Sequence, residues 1–219
     1  MFSKINIKLM ESATPLLNAA YLSGEDINIA SSLLYKAYHD DPFFMDCFNS
    51  KEQGYEQKLR AAIREELLVF WEQNQPMIGI YDDDDHLLAV ACLIEPNSNF
   101  GSKRFWHWRL KMMLTAGMVS TKAMIEKEQK VREAIPAEQY HLIAFIAVHP
   151  NHQHHGVGHY LLDAIDTMLA EDKNSQGAGV LVTVDSYIGF FEQADYQPIA
   201  ELKVGEINAK LMFKYVYSD

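Results

Sequence analysis

Apolar residues recur at Ile27, Ala30, Leu34, Ala37 and Tyr38, and again at Tyr55, Leu59, Ile63, Leu67 and Phe70. Steps of three and four residues place each set on one helix face. Ser23 and Asp26 form a helix-start pair ahead of the first set. Pro42 disfavours helical geometry at Asp41, so that helix should end near HDDPFF. The second helix is predicted over residues 52–73. The pattern then changes. MIGIYDDDDHLLAVACLI, residues 77–94, reads as two β-type runs around an acidic turn, and Asp82 to Asp85 read as solvated turn residues rather than a cation site.

Leu142 to Val148 is apolar at every position, the pattern of a strand covered on both faces. Leu161, Leu162, Ile165, Met168 and Leu169 then mark a helical stripe. GVLVTV (179–184) predicts another strand, FFEQADY a short helix entering a turn, and residues 210–217 a last strand. Residues 98–140 form a long connection rich in helix formers, closed by Pro136. Its Trp106, Trp108, Met112 and Met113 read as core before pocket. Residues before about Thr14 carry little pattern, as a tail or an added edge strand would. No repeat, linker or low-complexity segment interrupts the chain.

The length of 219 residues suits one domain, 1–219, large enough to bury a proper core. An apolar fraction of 48% and a charged fraction of 22% are those of an ordinary globular protein. No apolar run approaches the roughly 18 residues of a membrane span, and the first residues lack the apolar core of a signal peptide, so a cytoplasmic location and no membrane partner are expected. Cys47 and Cys92 are too few for a disulfide framework and read as reduced core thiols. The net charge of −11 repels a nucleic-acid duplex. It gives a slight preference for a cationic partner, such as a polyamine or an aminoglycoside-like compound, although acidic surfaces commonly serve solubility alone. Oligomeric state is not fixed by the sequence, which admits a homodimer.

The chemistry concentrates in IAVHPNHQHHGVGHYLLDAI, Ile146 to Ile165. A buried strand, a glycine-rich turn and an amphipathic helix together make an anion site, because the first helical N–H groups lack internal partners and the helix dipole adds positive potential. Gly156 and Gly158 would let the backbone approach an oxyanion closely. The chain has no GxxxxGK[ST], and G-V-G-H-Y-L lacks the third glycine of the dinucleotide fingerprint. A metal reading also exists: His155, His159 and Asp163 stand four residues apart and could present three ligands from one helix face. His155, however, precedes the helix start, and neither HExxH nor a second cluster is present, so no metal is expected.

Gln153-His154-His155-Gly156-Val157-Gly158 resembles the Q/R-x-x-G-x-G/A signature of the GNAT superfamily of acyl-CoA-dependent N-acyltransferases. The likeness extends over IAVHPNHQHHGVGHYLLDA and GVLVTVDSYIGFFEQADY and spans about residues 19–217. AYHDDPFF resembles the branch that includes puromycin acetyltransferase. The resemblance implies an α/β (α+β) fold: a mixed, mostly antiparallel sheet flanked by helices and splayed at its central strand. It implies transfer of an acetyl group from acetyl-CoA to a primary amine of a small molecule or peptide. In such a protein Gln153, His154, His155, Gly156, Val157, Gly158 and His159 would hold the pyrophosphate. Ile146, Ala147 and Val148 would pair with the pantetheine arm, with the N–H of Ala147 or Val148 facing the thioester carbonyl, and residues 98–140 would help shape the acceptor pocket.

His154 and His155 stand where such loops commonly carry lysine or arginine. A neutral imidazole donates one hydrogen bond and gains full charge only on protonation. Acetyl-CoA affinity is therefore expected to strengthen as pH falls from about 8 toward about 6, and a flat response in binding titrations would exclude this. For the base that deprotonates the amine, the candidates are Glu95 at a strand end, then His141, then Asp185. The family often has a tyrosine as general acid where this chain has Phe191, and Asp195 replaces the usual glycine. Tyr187 or Ser186 could stand in. The substitution at Phe191 also leaves room for a second reading, a CoA-binding module that senses without turnover.

Overall fold

The computed structural model describes residues 16–96 and 117–216. Seven strands form one sheet in the order β1-β2-β3-β4-β5-β7-β6. They span Asn18–Tyr21 (β1), Met77–Tyr81 (β2), Leu87–Ile94 (β3), His141–Val148 (β4), Gly177–Val182 (β5), Gln197–Val204 (β6) and Ile207–Tyr215 (β7). All pairings are antiparallel except β4 with β5. The mixed, mostly antiparallel sheet is therefore as expected.

Helices α1 (Ile27–Tyr38), α2 (Pro42–Cys47), α3 (Tyr55–Glu72) and α4 (Met118–Ala134) contribute to one face of the core, through Leu34, Phe43, Leu59 and Val131 among others. Helices α5 (Val157–Glu171) and α6 (Ile188–Glu192) pack on the other through Leu161, Ile165 and Phe191. Ser23 and Asp26 do meet at the start of α1: the Ser23 N–H and hydroxyl both donate to Asp26 Oδ2, at 2.7 Å each. The helix ends near HDDPFF as predicted, but a new one starts there at once. Pro42 takes its first position, where a missing N–H costs nothing, and Asp41 caps it by accepting from Phe44 N–H at 3.1 Å. Two edge strands, β1 and β6, were not anticipated at these positions, and the aromatic segment around Trp106, Trp108, Met112 and Met113 lies outside the described residues. Cys47 and Cys92 are both free and buried, and burial pushes the Cys47 thiol up to about 12. At the acidic hairpin, Asp82 accepts from the N–H groups of Asp84 and His86, a turn-forming role.

The parallel pair requires a crossover, and α5 supplies it. This βαβ unit sets the start of α5 beyond the carboxyl end of β4, where ligands of such units bind. Pairing of β4 with β5 covers only His141↔Ala178, Leu142↔Gly179 and Ile143↔Val180. Beyond Ile143 the two strands separate. The register of β4 against β3 slips at the same place, Cys92 pairing with Phe145 and Leu93 with Ile143. Ala144 is thus an extra residue, and Ala144 and Phe145 both pack toward the α1–α4 face instead of alternating. A bulge bends its strand and raises the local twist. Here it marks where β4 departs from β5.

Candidate active site

The open end of this gap carries the histidine–glycine turn. Gly156 is the residue before α5, at φ +81°, and a Cβ added there meets nothing within 4 Å. No side chain caps the helix, so the early N–H groups of Val157, Gly158 and His159 face outward without a side-chain partner. Gly158 is close-packed, its added Cβ lying 3.1 Å from Phe190 and 3.5 Å from Val148. His154 holds a left-handed φ of 62°. The His155 Nδ1 lies 2.6 Å from the Gln153 carbonyl, and the His159 Nε2 lies 3.3 Å from Gln193 Oε1. The two imidazoles thus have separate partners, and among the described residues no three His, Cys, Asp or Glu side chains converge on a point that could hold a metal. Gln153 is also committed internally, its Nε2 donating to the Val148 carbonyl at 3.2 Å, which ties the turn to the strand.

The gap side of β4 follows from Tyr38. Its hydroxyl donates to the Ile146 carbonyl and accepts from the Ile146 N–H, both at 3.0 Å. Burial pushes this phenol well above its ordinary range, so it stays protonated. Ile146 therefore points its backbone groups away from β3. Alternation sends those of Ala147 toward β3 and those of Val148 into the gap, and the His149 N–H, on the β3 side, donates to Leu88 O as this requires. Of Ala147 and Val148, only Val148 offers an N–H to the opening.

A fixed cation that the turn itself lacks comes from α1. Lys36 Nζ stands 3.2 Å from His149 Nε2. Burial, Lys36 and His152 together hold the His149 imidazole below its ordinary pKa. Lys36 and His149 stand 113 positions apart in the chain, so no local pattern could expose the pair.

A family model described as Acetyltransferase (GNAT) family matches residues 34–196. The chain belongs to the GNAT acetyltransferase family. No curated protein matches it significantly by sequence. Among solved structures it is similar to a histone acetyltransferase HPA2 and related acetyltransferase from Corynebacterium glutamicum, at 13% identity over 94% of this chain and 98% of that one, with a TM-score of 0.70. The condensation domain of Ebony in complex with beta-alanyl-dopamine matches at 12% identity over 93% and 100%, with a TM-score of 0.64. Arylalkylamine N-acetyltransferase 2 of Aedes aegypti matches at 13% over 92% and 99%, with a TM-score of 0.60. At such identities the likeness is one of fold. Nothing in these matches supports the puromycin acetyltransferase branch, and the Asp41-Pro42 pair of AYHDDPFF is accounted for by helix capping.

Within this GNAT fold the four catalytic candidates separate into two groups. Asp185 and Tyr187 lie in a 3-10 turn just past β5, exposed at the open end of the gap. Tyr187 lies near Tyr38. Glu95 and His141 lie at the closed end, since Ile94, next to Glu95, pairs with Leu142. His141 is roughly 23 Å along the strand from Val148. Its Nδ1 lies 2.9 Å from Ser175 Oγ and its Nε2 3.8 Å from Asp172, with 2% of the residue exposed. Glu95 is held above the usual carboxylate range by burial and by Asp172. The structure thus brings His141 and Glu95 near a shared neighbour and away from the turn. Phe191 is buried against Phe190 and Tyr196, a core position.

Burial lowers the His141 imidazole from its ordinary 6.5, against a smaller upward pull from Asp172. The unfolded chain therefore binds a proton here more readily than the folded one. This contribution to stability is complete above 6.5 and is lost as pH falls from there through the folded value. Stability should decline by up to ~1.4 kcal/mol per pH unit within that window. Urea midpoints at successive pH values should show a shallower decline in His141→Gln than in the parent, and parallel curves would exclude the effect.

Proposed function

We propose that the chain, as a single acyltransferase domain, moves an acetyl group from acetyl-CoA to a primary amine. The observation that carries this is the coincidence, at one end of the sheet, of a gap between β4 and β5 with an uncapped α5 start. Acetyl-CoA would supply an activated thioester and a thiol leaving group. Val157, Gly158 and His159 would direct main-chain N–H groups to its diphosphate, and the open space before Gly156 leaves room for that approach. Lys36, held against His149 at the start of the turn, adds a positive charge on the same side of the site. The Val148 N–H faces the gap as a preorganised donor for the pantetheine arm or the thioester oxygen.

The neutral amine nitrogen bonds to the acetyl carbon and sheds one proton to a base or water, the carbon–sulfur bond breaks, and the departing thiolate takes up a proton, leaving an amide and a thiol. Phe191 cannot give that proton. Tyr38 and Tyr187 are the phenols at the gap, and Tyr38 is kept in its protonated form. Calorimetry with CoA, followed by thiol release against a panel of amines, tests the reading. Micromolar uptake with amine-dependent release is expected, and absence of CoA uptake would overturn it. Uptake without release on any amine would favour the sensing module, for which the burial of Phe191 is the specific support.

A further inference from the structure

Beyond Ile143 the gap-facing edge of β4 no longer pairs with β5, and two side chains meet its main-chain groups instead. The Tyr38 hydroxyl donates to the Ile146 carbonyl and accepts from the Ile146 N–H, both at 3.0 Å, and Gln153 Nε2 donates to the Val148 carbonyl at 3.2 Å. The Val148 N–H is met by neither. Gln153 belongs to the turn and holds it to the strand, whereas Tyr38 reaches across from α1. An oxygen within bonding distance of both main-chain groups of one residue lies in line with the strand edge, where a neighbouring strand would run.

The Tyr38 ring is set there by edge contacts with Phe44 and Phe145, at 5.3 and 5.8 Å between ring centres. On the α1–α4 side Tyr38 also lines a cavity of about 90 Å³, with Asp41, Glu66 and Lys127 among the other walls. The residue stands where the gap and this cavity meet. An arm laid along β4 from the mouth of the gap comes to its hydroxyl two residues, or roughly 6.7 Å, inside Val148. The group that ends the arm stops against that hydroxyl. In the acetyl-transfer reading, on which this inference rests, the group is the thioester.

We infer that the Tyr38 hydroxyl is the catalytic hydrogen-bond donor to the thioester oxygen, leaving the Val148 N–H to the pantetheine arm. The hydroxyl is engaged in the free protein, so the role is an exchange of partners. Its hydrogen turns about the C–O bond from the Ile146 carbonyl to the thioester oxygen, and that carbonyl accepts from an amide N–H of the arm in its place. The Ile146 N–H goes on donating to the phenol oxygen, and a phenol that accepts a hydrogen bond is a stronger donor. As the amine nitrogen bonds to the acetyl carbon, negative charge gathers on the carbonyl oxygen, where the Tyr38 hydrogen meets it. When the carbon–sulfur bond breaks, that charge passes to sulfur, and the thiolate takes its proton from water. Tyr38 keeps its own proton throughout. Burial holds the phenol in that protonated form, which suits a donor that does not transfer its hydrogen. The role therefore differs from that of the tyrosine missing at Phe191.

Difference infrared spectra of acetyl-CoA with carbon-13 at its carbonyl, bound without amine, read this contact directly. The carbonyl band should lie lower in the parent complex than in that of Tyr38→Phe. With an amine that the parent acetylates, kcat should fall ~100-fold or more in Tyr38→Phe, the effect of losing one oxyanion donor. CoA itself, which has no thioester, should bind Tyr38→Phe at least as tightly as the parent by calorimetry, because the Ile146 carbonyl is then open to the arm. Should Tyr38→Phe fail to fold, 3-fluorotyrosine at position 38 keeps the shape of the residue and is the stronger donor, so the band should move lower still. An unmoved band in either variant would overturn the inference, as would a loss confined to the KM for acetyl-CoA. Uptake of acetyl-CoA without turnover on any amine counts against the acetyl-transfer reading alone, and the band still decides the role of Tyr38. Absence of uptake overturns both.

Discussion

Gly177→Ala is expected to lower folding stability by about 3–5 kcal/mol, the combined scale of backbone strain and an overfilled site. Gly177 opens β5 at φ +150°, a conformation side chains rarely adopt, and a Cβ there would stand 2.0 Å from the Lys214 carbonyl oxygen and 2.9 Å from the Phe213 ring. The oxygen belongs to the backbone of β7, which is held in register with β5 from Gly177↔Tyr215 to Val182↔Lys210. Neither strand can yield alone. Local bonds pin the position further, since the Gly177 N–H donates to Ser175 Oγ and its carbonyl accepts from that hydroxyl. The measurement is the urea midpoint against Gly189→Ala. Gly189 sits in α6 with nothing within 4 Å of an added Cβ, so alanine there should be neutral or add up to ~1 kcal/mol through helix propensity. Similar midpoints for the two variants would mean that β5 and β7 do not approach as described.

Much of this architecture could be read from periodicity because its elements bury one face or both. α1, α3, α5, the β2–β3 hairpin and β4 all carry a clear apolar pattern, and each lies within a few residues of its expected span. The edge strands carry none. In β6, Pro198 sits among mostly exposed or half-buried residues, which only an edge tolerates, and β1 closes the opposite edge with four residues. At α2 the local signal is double, since Asp-Pro both stops one helix and starts another, and the stop is the plainer half of it.

The site divides in the same way. The glycine turn was legible because strand, turn and helix are contiguous in the chain. The bulge at Ala144 was not, because an all-apolar strand gives no sign of where alternation slips. Nor could the sequence show that Tyr38 covers Ile146, that Lys36 reaches His149, or that Asp41, Glu66 and Lys127 converge from different helices. These are consequences of packing. They also explain why Glu95 and His141 stand beside Asp185 and Tyr187 in the sequence reading although the fold sets the two pairs at opposite ends of the gap, since strand ends look alike in sequence whichever end of the sheet they occupy.

Gly156→Val should weaken CoA binding ~100-fold while leaving a folded protein. Two effects combine. A β-branched residue at φ +81° is strained by about 1–3 kcal/mol, and its side chain would project into the open space through which a diphosphate would approach the α5 amides. Gly54→Val separates these effects. Gly54 also precedes a helix, α3, in the left-handed region at φ +95° and without a side-chain cap, and its added Cβ meets only Gln57, at 3.9 Å. Both variants should therefore lose similar stability in urea titration, yet only Gly156→Val should lose CoA affinity by calorimetry. Equal loss of affinity would point to a general response to strain, and unchanged affinity in Gly156→Val would remove the turn from the binding site. The contrast isolates what distinguishes two equally uncapped helix starts. One lies at the mouth of a parted pair of strands, in a turn whose first residue, His149, meets Lys36, and the other begins a helix that packs on α1.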